Sequence, residues 1–250
     1  MSAKPYLDVP LPHVLAHRGL HTVHPENTIA AFAAALEVGA THLETDAHVS
    51  SDGVAVLVHD PVITVAGKQI FVADLTAQEL ASLNLGEGQG VPSLADALTT
   101  FPHARFNIDI KVTEAGPAVA SAVQKAKASH RVLIASFKAA RRTSTVRSLP
   151  GVATSASATV ALLAVLSASV GLTPLGARLM RDVDAVQLPT RMIGLSVFTS
   201  RFIAMCHRAG VVVHAWTINE PDEMRALLAR GVDGLVTDRC DLAVEVSRSL

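Results

Sequence analysis

The 250-residue sequence predicts an α/β protein, a (β/α)8 TIM barrel with a short insertion after the second strand. Three observations predict it. Short β-rich runs alternate strictly with Ala/Leu-rich helical runs, which points to a parallel sheet with helices outside. About eight such strand–helix units fit along the chain. Half of the residues are apolar, ample for a large core, and barrels of about 250 residues are routinely single domains. No GxGxxG or GxxxxGK[ST] phosphate loop favours an open doubly wound sheet instead.

The elements follow in order. VLAHRG (14–19) reads as the first strand. NTIAAFAAALEVGA (27–40) reads as a helix, with Asn27 or Thr28 near its start and Gly39 near its end. HLETDAHV (42–49) is the second strand, and the turn Ser51-Asp52-Gly53 folds it back onto VAVLVHD (54–60) as a hairpin. A polar, glycine-containing stretch over about 61–91 is the insertion, with a small helix near LTAQELASL. SLADALTTF is a helix, RFNIDIK (105–111) a strand, AVASAVQKAKA a helix, RVLIASF a strand and KAARRTSTVRSL a helix. GVATSAS reads as a short strand before a long uncharged helix. DAVQLP, VVVHAWTIN (211–219) and GLVTD (234–238) are the last strands, separated and followed by helices. Residues 1–250 are expected to form one domain, since no linker marks a second.

Charge and composition exclude several classes. Twenty-one basic residues against 22 acidic ones leave a net charge of -1, so no basic field points to nucleic acid. The two cysteines, Cys206 and Cys240, offer neither a disulfide framework nor metal spacing, which suits a reducing compartment. MSAKPYLDVPLPHV lacks an apolar leader segment, so a cytoplasmic location is expected. Ser148 to Ala177 carries no charge, yet its apolar run is broken by Ser, Thr and Gly. A bilayer span wants about 20 consecutive apolar residues. The run is therefore expected to be a barrel-wall helix, with at most a weak membrane contact.

In such a barrel, functional residues collect at the C-terminal strand ends. Those ends carry His17 and Arg18, Glu44 and Asp46, His59 and Asp60, Asp109 and Lys111, Trp216 and Asn219, and Asp238. Glu44 and Asp46 are two apart, so both point to one face of a strand, and Asp109 and Lys111 repeat the arrangement. Charged groups aimed into a barrel interior are costly unless paired or bound to a cation. Glu44, Asp46 and Asp109 make a hard-oxygen set suited to Mg²⁺ or Ca²⁺. Arg18 and Lys111 beside them would attract a phosphate. His17 and His59 follow different strands, so they can stand on opposite sides of one phosphate as acid and base.

Taken singly, each residue has an ordinary reading. A strand-end histidine is a hydrogen-bonded structural group, an i,i+2 acidic pair a solvated strand face, Arg18 a surface cation and Trp216 a core aromatic. Glu26 reads as an acid at the positive end of a helix dipole. His13, His21, His24, His42 and His48 read as structural; His48 shares the parity of Glu44 and Asp46. The coincidence of all of them carries the argument.

The order HRG (17–19), PENT (25–28), ETD (44–46), DG (52–53), HD (59–60), DIK (109–111), SF (136–137), WTIN (216–219) and GVDGLVTD (231–238) resembles the glycerophosphodiester phosphodiesterase family, from about residue 14 to 240. The resemblance implies a TIM barrel that hydrolyses glycerophosphodiesters to glycerol 3-phosphate and an alcohol with a divalent metal, Mg²⁺ or Ca²⁺. It implies that Glu44, Asp46 and Asp109 hold the metal, that His17 and His59 are the acid–base pair, that Arg18 and Lys111 hold the phosphate, and that Trp216 lines the substrate pocket. Gly19 would let the backbone turn tightly after the strand. The family more often has Glu where Asp109 stands, which shortens the reach by about 1.5 Å. TVAGKQ replaces the arginine-threonine stretch expected after HD.

Three other readings use the same residues. One is a sphingomyelinase-D-like phospholipase working by intramolecular attack; PENT and the TVAGKQ region weigh toward a soluble, small-molecule diester. Another is a non-catalytic phosphate-binding barrel, which retention of both histidines and all three carboxylates argues against. A glycosidase could use the carboxylates, but Arg18 and Lys111 beside them suit a phosphate better.

Overall fold

In the computed structural model, which describes residues 4–250, β1 (His13–His17) leads through α1 (Ile29–Val38) to β2 (His42–Val49), which turns back into the antiparallel β3 (Ala55–Leu57). The first three residues of the N-terminal stretch read above lie outside the described residues. The insertion holds a hairpin of β4 (Val62–Val65) and β5 (Lys68–Phe71), a single 3-10 turn at Val72–Asp74, and α2 (Ala77–Ala81). Then α3 (Leu94–Thr100) leads to β6 (Phe106–Ile110), α4 (Ala115–Lys125) to β7 (Val132–Ala135), and α5 (Ala139–Arg147) to β8 (Ala153–Thr154). Two helices, α6 (Ala158–Ser169) and α7 (Thr173–Leu179), precede β9 (Ala185–Leu188). A small hairpin, β10 (Arg191–Met192) and β11 (Leu195–Ser196), precedes α8 (Ser200–Arg208). The chain ends with β12 (Val212–Ala215), α9 (Pro221–Ala229), β13 (Gly234–Thr237) and α10 (Cys240–Arg248).

Eight strands run parallel in the order β8, β7, β6, β2, β1, β13, β12, β9. A parallel bridge between Ser155 and Ala185 completes the ring. Two backbone bonds reinforce it: Ala156 N–H donates to the Ala185 carbonyl at 2.9 Å, and Asp184 N–H to that of Thr154 at 2.8 Å. The predicted (β/α)8 barrel is thus formed.

Period-2 alternation sorts each strand between two environments. On β2, Leu43 and Ala47 join the apolar layer shared with Phe32 and Ala35 of α1, whereas Glu44 and Asp46 face the lumen. On the far side the lumen is filled by apolar residues, Leu133, Ala135, Ala153 and Ala185. The lumen therefore has a charged half and an apolar half. Its floor is polar but neutral. His13 Nδ1 and His214 Nε2 lie 3.1 Å apart, and the His42 ring packs 4.7 Å from that of the fully buried Tyr6. Burial, with His13 nearby, pushes the His42 imidazole down to about 3, so it stays uncharged.

Local signals explain the helix ends. The Thr28 side chain caps α1 by accepting from Ala31 N–H, and Gly39 ends it in the left-handed region at φ 107°. Thr76 and Glu79 form a capping box on α2, the small helix expected in the insertion.

The structure departs from the sequence reading in places. The uncharged helix is two helices: Gly171 turns left-handed at φ 82° and Pro174 starts α7, so the first helix cannot continue. The short strand expected over GVATSAS is only Ala153–Thr154, extended by the Ser155 bridge. The strand expected over 211–219 stops at Ala215, and the chain beyond leaves the ladder on its way to α9. The β4–β5 and β10–β11 hairpins carry no alternation strong enough to read. Among the described residues no helix is long and apolar enough to cross a membrane. Instead α6 buries Ala161, Ala164, Val165 and Ala168 against the barrel wall.

Gly19 sits at φ 82°, and a Cβ there would lie 2.7 Å from the Ala31 backbone and Cβ. Gly19→Ala is expected to destabilise the fold by more than about 1 kcal/mol, because strain and a backbone clash coincide. A lowered urea midpoint with unchanged slope checks this; an unchanged midpoint contradicts it.

Candidate active site

A cavity of about 340 Å³ opens at the C-terminal ends of the strands, and His17, Arg18, Glu44, Asp46, His59, Asp109, Lys111 and Trp216 all border it. The position follows from the barrel, where the strand-to-helix loops gather at this face.

His17 is the last residue of β1, and its neighbour strand β13 places Asp238 beside it. The His17 Nδ1–Asp238 Oδ1 distance is 2.6 Å. With Nδ1–H donated to the carboxylate, Nε2 is the free acceptor; it lies 4.0 Å from Glu44 Oε2. Asp238 is itself held. Its Oδ2 accepts from Asn219 Nδ2–H at 2.8 Å, and its backbone N–H donates to Asn219 Oδ1 at 2.9 Å. His21 Nε2 lies 2.9 Å from the same Oδ1. Burial disfavours the Asp238 charge, but the bonds from His17, His21 and Asn219 outweigh it and hold the carboxyl well below its usual range.

Opposite stand the carboxylates and cations. Lys111 Nζ is 2.8 Å from both Asp46 Oδ1 and Asp109 Oδ2. Arg18 takes a left-handed backbone, φ 57°, and its side chain borders the cavity. Its Nε is 3.2 Å from Asp46 Oδ2, and its Nη1–H donates to Glu26 Oε2 at 2.9 Å. Burial opposes ionisation of Asp46, yet Lys111 and Arg18 lower its pKa. Glu44 is less well compensated. Burial first, then the charges of Asp46 and Asp109, raise its pKa well above the usual value against the more distant Lys111, and among the described residues its side chain accepts only the Arg18 backbone N–H, at 3.2 Å.

His59 follows β3, with Nδ1 3.0 Å from Asp60 Oδ1. The buried His48 donates Nε2–H to the His59 carbonyl at 3.1 Å, so it anchors that loop rather than the cavity. Trp216 stands on the apolar side, its ring 5.9 Å from Phe137 in an edge-to-face pair.

All eight residues expected from the sequence thus border one cavity, but not all in one cluster. Among the described residues, the His/Cys/Asp/Glu set whose ligand atoms fall within 4.8 Å of one another is His17, His21 and Asp238, not Glu44, Asp46 and Asp109. The Lys111 ammonium lies between Asp46 and Asp109 and takes one oxygen of each. The carboxylates still fit a hard divalent cation. Among the described residues, Glu44 is buried with no lysine or arginine in ion-pair contact, and Asp109 Oδ1 and Asn107 Oδ1 are buried without hydrogen-bond partners. One expectation needs correction. Glu26 precedes the cap of α1 and pairs with Arg18 instead of the helix dipole. His21, expected to be structural, shares Asp238 with His17. Asn107, two residues before Asp109, shares its parity and also borders the cavity, and the pairing of Asp238 with Asn219 joins two strand ends that the sequence marks only singly.

Comparison with known proteins gives a consistent result. Residues 17–242 match the profile of the Glycerophosphoryl diester phosphodiesterase family. A Mycobacterium tuberculosis protein described as a probable glycerophosphodiester phosphodiesterase 2 is 41% identical over 242 residues, covering 93% of this chain and 89% of its own. A glycerophosphodiester phosphodiesterase from Thermotoga maritima superposes with TM-score 0.75 at 24% identity, covering 95% and 99% of the two chains. An Oleispira antarctica phosphodiesterase, solved with the product sn-glycerol-3-phosphate, superposes with TM-score 0.74 at 23% identity, covering 94% and 96%.

Proposed function

The chain belongs to the glycerophosphoryl diester phosphodiesterase family, and from that premise we propose that it hydrolyses glycerophosphodiesters to glycerol 3-phosphate and an alcohol, with His17 as proton acceptor and His59 as proton donor. One observation carries the reading: His17 is bonded through Nδ1 to Asp238, leaving Nε2 free beside the carboxylates and cations of one cavity. An imidazole so held is in the tautomer a base requires, and the Asp238 carboxylate supports the imidazolium that forms.

The glycerol hydroxyl next to the ester is already tethered to phosphorus, so its attack gains the proximity advantage. His17 Nε2 takes its proton as oxygen bonds to phosphorus. His59 gives a proton to the departing alcohol oxygen as that P–O bond breaks. The resulting cyclic phosphate is opened by water, with the two histidines exchanging roles. Arg18 and Lys111 offset the charge on the phosphoryl oxygens. Glu44, Asp46 and Asp109 would hold a divalent cation, Mg²⁺ or Ca²⁺, which when bound supplies Lewis-acid stabilisation of that same charge. Trp216, with Phe137, offers the leaving alcohol an apolar wall.

Since the site draws on β1, β2, β6, β12 and β13, the reading takes residues 1–250 as one domain acting on a small molecule. It also takes the protein to be cytoplasmic, which the buried, unpaired Cys206 and Cys240 suit.

The test is a panel of glycerophosphodiesters assayed for glycerol 3-phosphate with and without chelator. Product formation that stops on chelation and returns with Mg²⁺ or Ca²⁺ is expected. A diester analogue lacking the neighbouring hydroxyl is expected to bind yet turn over very slowly. No glycerol 3-phosphate from any diester overturns the activity; equal cleavage of the analogue overturns the cyclic route and favours direct attack by water.

A further inference from the structure

The Asp238 carboxylate serves two histidines with one oxygen. His17 Nδ1 is 2.6 Å and His21 Nε2 2.9 Å from Oδ1, while Oδ2 is engaged by Asn219. Hydrolysis as derived above needs only the His17 bond. His21 adds a second nitrogen at the same point, and the three ligand atoms all lie within 4.8 Å of one another. Two imidazoles and one carboxylate are a borderline donor set, unlike the all-oxygen set of Glu44, Asp46 and Asp109. Zn–N and Zn–O bonds of about 2.0–2.1 Å hold neighbouring ligand atoms about 3.3 Å apart in a tetrahedron. The two nitrogen–oxygen separations need to widen by only about 0.4–0.7 Å to reach that value, and the two nitrogens lie within 4.8 Å of each other. The carboxylate is pre-oriented as well, because Asn219 fixes its second oxygen and its backbone N–H. The three side chains are 20–26% exposed, so an ion has access and water can complete its coordination.

We propose that His17 Nδ1, His21 Nε2 and Asp238 Oδ1 form a second, inhibitory metal site for a borderline divalent ion such as Zn²⁺. The inhibition follows from the tautomer. Metal on Nδ1 displaces the proton that Asp238 now accepts, and a neutral imidazole then carries its proton on Nε2. Nε2 becomes a donor and can no longer accept a proton from the substrate hydroxyl. This consequence rests on the reading of His17 as proton acceptor; the binding does not.

The experiment uses the full chain, stripped with chelator and resupplied with excess Mg²⁺ to occupy the oxygen site. Zn²⁺ is titrated by calorimetry and, in parallel, into the hydrolysis assay; Co²⁺ is titrated separately and followed by visible absorption. Wild type is expected to bind one Zn²⁺ and lose Mg²⁺-supported hydrolysis at the same occupancy, and to give a tetrahedral Co²⁺ spectrum. His21→Asn and His21→Gln, with unchanged circular dichroism, are expected to keep hydrolysis in Mg²⁺ alone and to bind Zn²⁺ more than about 10-fold more weakly. Zn²⁺ binding to both variants as tightly as to wild type overturns the proposal, as does absence of Zn²⁺ binding under excess Mg²⁺, or binding without inhibition. Absence of Mg²⁺-supported hydrolysis before Zn²⁺ is added counts instead against the proposed function.

Discussion

Alanine at position 17 is expected to lower kcat by about 10²- to 10⁴-fold, the usual worth of a positioned acid or base. The fold should survive, because the side chain is partly exposed and its loss opens no apolar void. His59→Ala should fall in the same range. The two losses should differ in form. His17 is oriented by Asp238, itself held by Asn219, so Asp238→Asn is expected to reproduce part of the His17→Ala loss. Among the described residues the His59 side chain hydrogen-bonds only the exposed Asp60, so Asp60→Asn should cost much less. The measurement is kcat at saturating substrate and metal, with circular dichroism as a check on folding. Full turnover in His17→Ala removes that residue from the proposed mechanism.

Glutamine at position 44 is expected to cut metal-dependent turnover by about 10²-fold or more, beyond the 10- to 100-fold that outer-shell changes typically cost, and at the same time to raise the Tm of the chelated protein. The sign follows from the charge. Burial, Asp46 and Asp109 raise the Glu44 pKa in the folded chain well above its usual value. Below the unfolded value the group is protonated in both states and costs nothing; as pH rises from there through the raised folded value the penalty grows, and above that value it is full. Glutamine keeps the shape and removes the penalty. In wild type a divalent cation should relieve it instead, so Mg²⁺ or Ca²⁺ should raise the wild-type Tm and leave that of Glu44→Gln nearly unchanged. Scanning calorimetry with and without cation checks this. Equal cation-induced shifts in both proteins would contradict a role for Glu44 in holding the ion.

Much of this site is legible in the chain itself because strand parity is a local property. The i,i+2 pairs Glu44/Asp46 and Asp109/Lys111 must share a face on any strand, and both pairs do border the cavity. The left-handed turn after His17 is legible for a similar reason, since Gly19 follows at once. Helix α1 is bounded by Thr28 and Gly39, as its sequence signals. What failed locally were weak signals: the two-residue β8, the unpatterned β4–β5 and β10–β11 hairpins, and the break at Gly171 inside an uncharged stretch.

The sequence by itself determined the alternation of strands and helices, the face on which each charged pair stands, and the residue types at the strand ends. These depend on periods of 2 and 3.6 residues and on neighbours a few positions away. The tertiary structure alone decided the pairing of His17 with Asp238 across 221 positions, because only a closed ring sets the first strand against the last. It decided that Glu26 serves Arg18, whose Nη1 lies 2.9 Å from Glu26 Oε2, because the loop before α1 folds back to the end of β1. It also decided that Lys111 divides itself between Asp46 and Asp109 and leaves the buried Glu44 outside those ion pairs. Charge balance of that kind depends on which ends of long side chains meet inside the barrel, and sequence distance does not encode it.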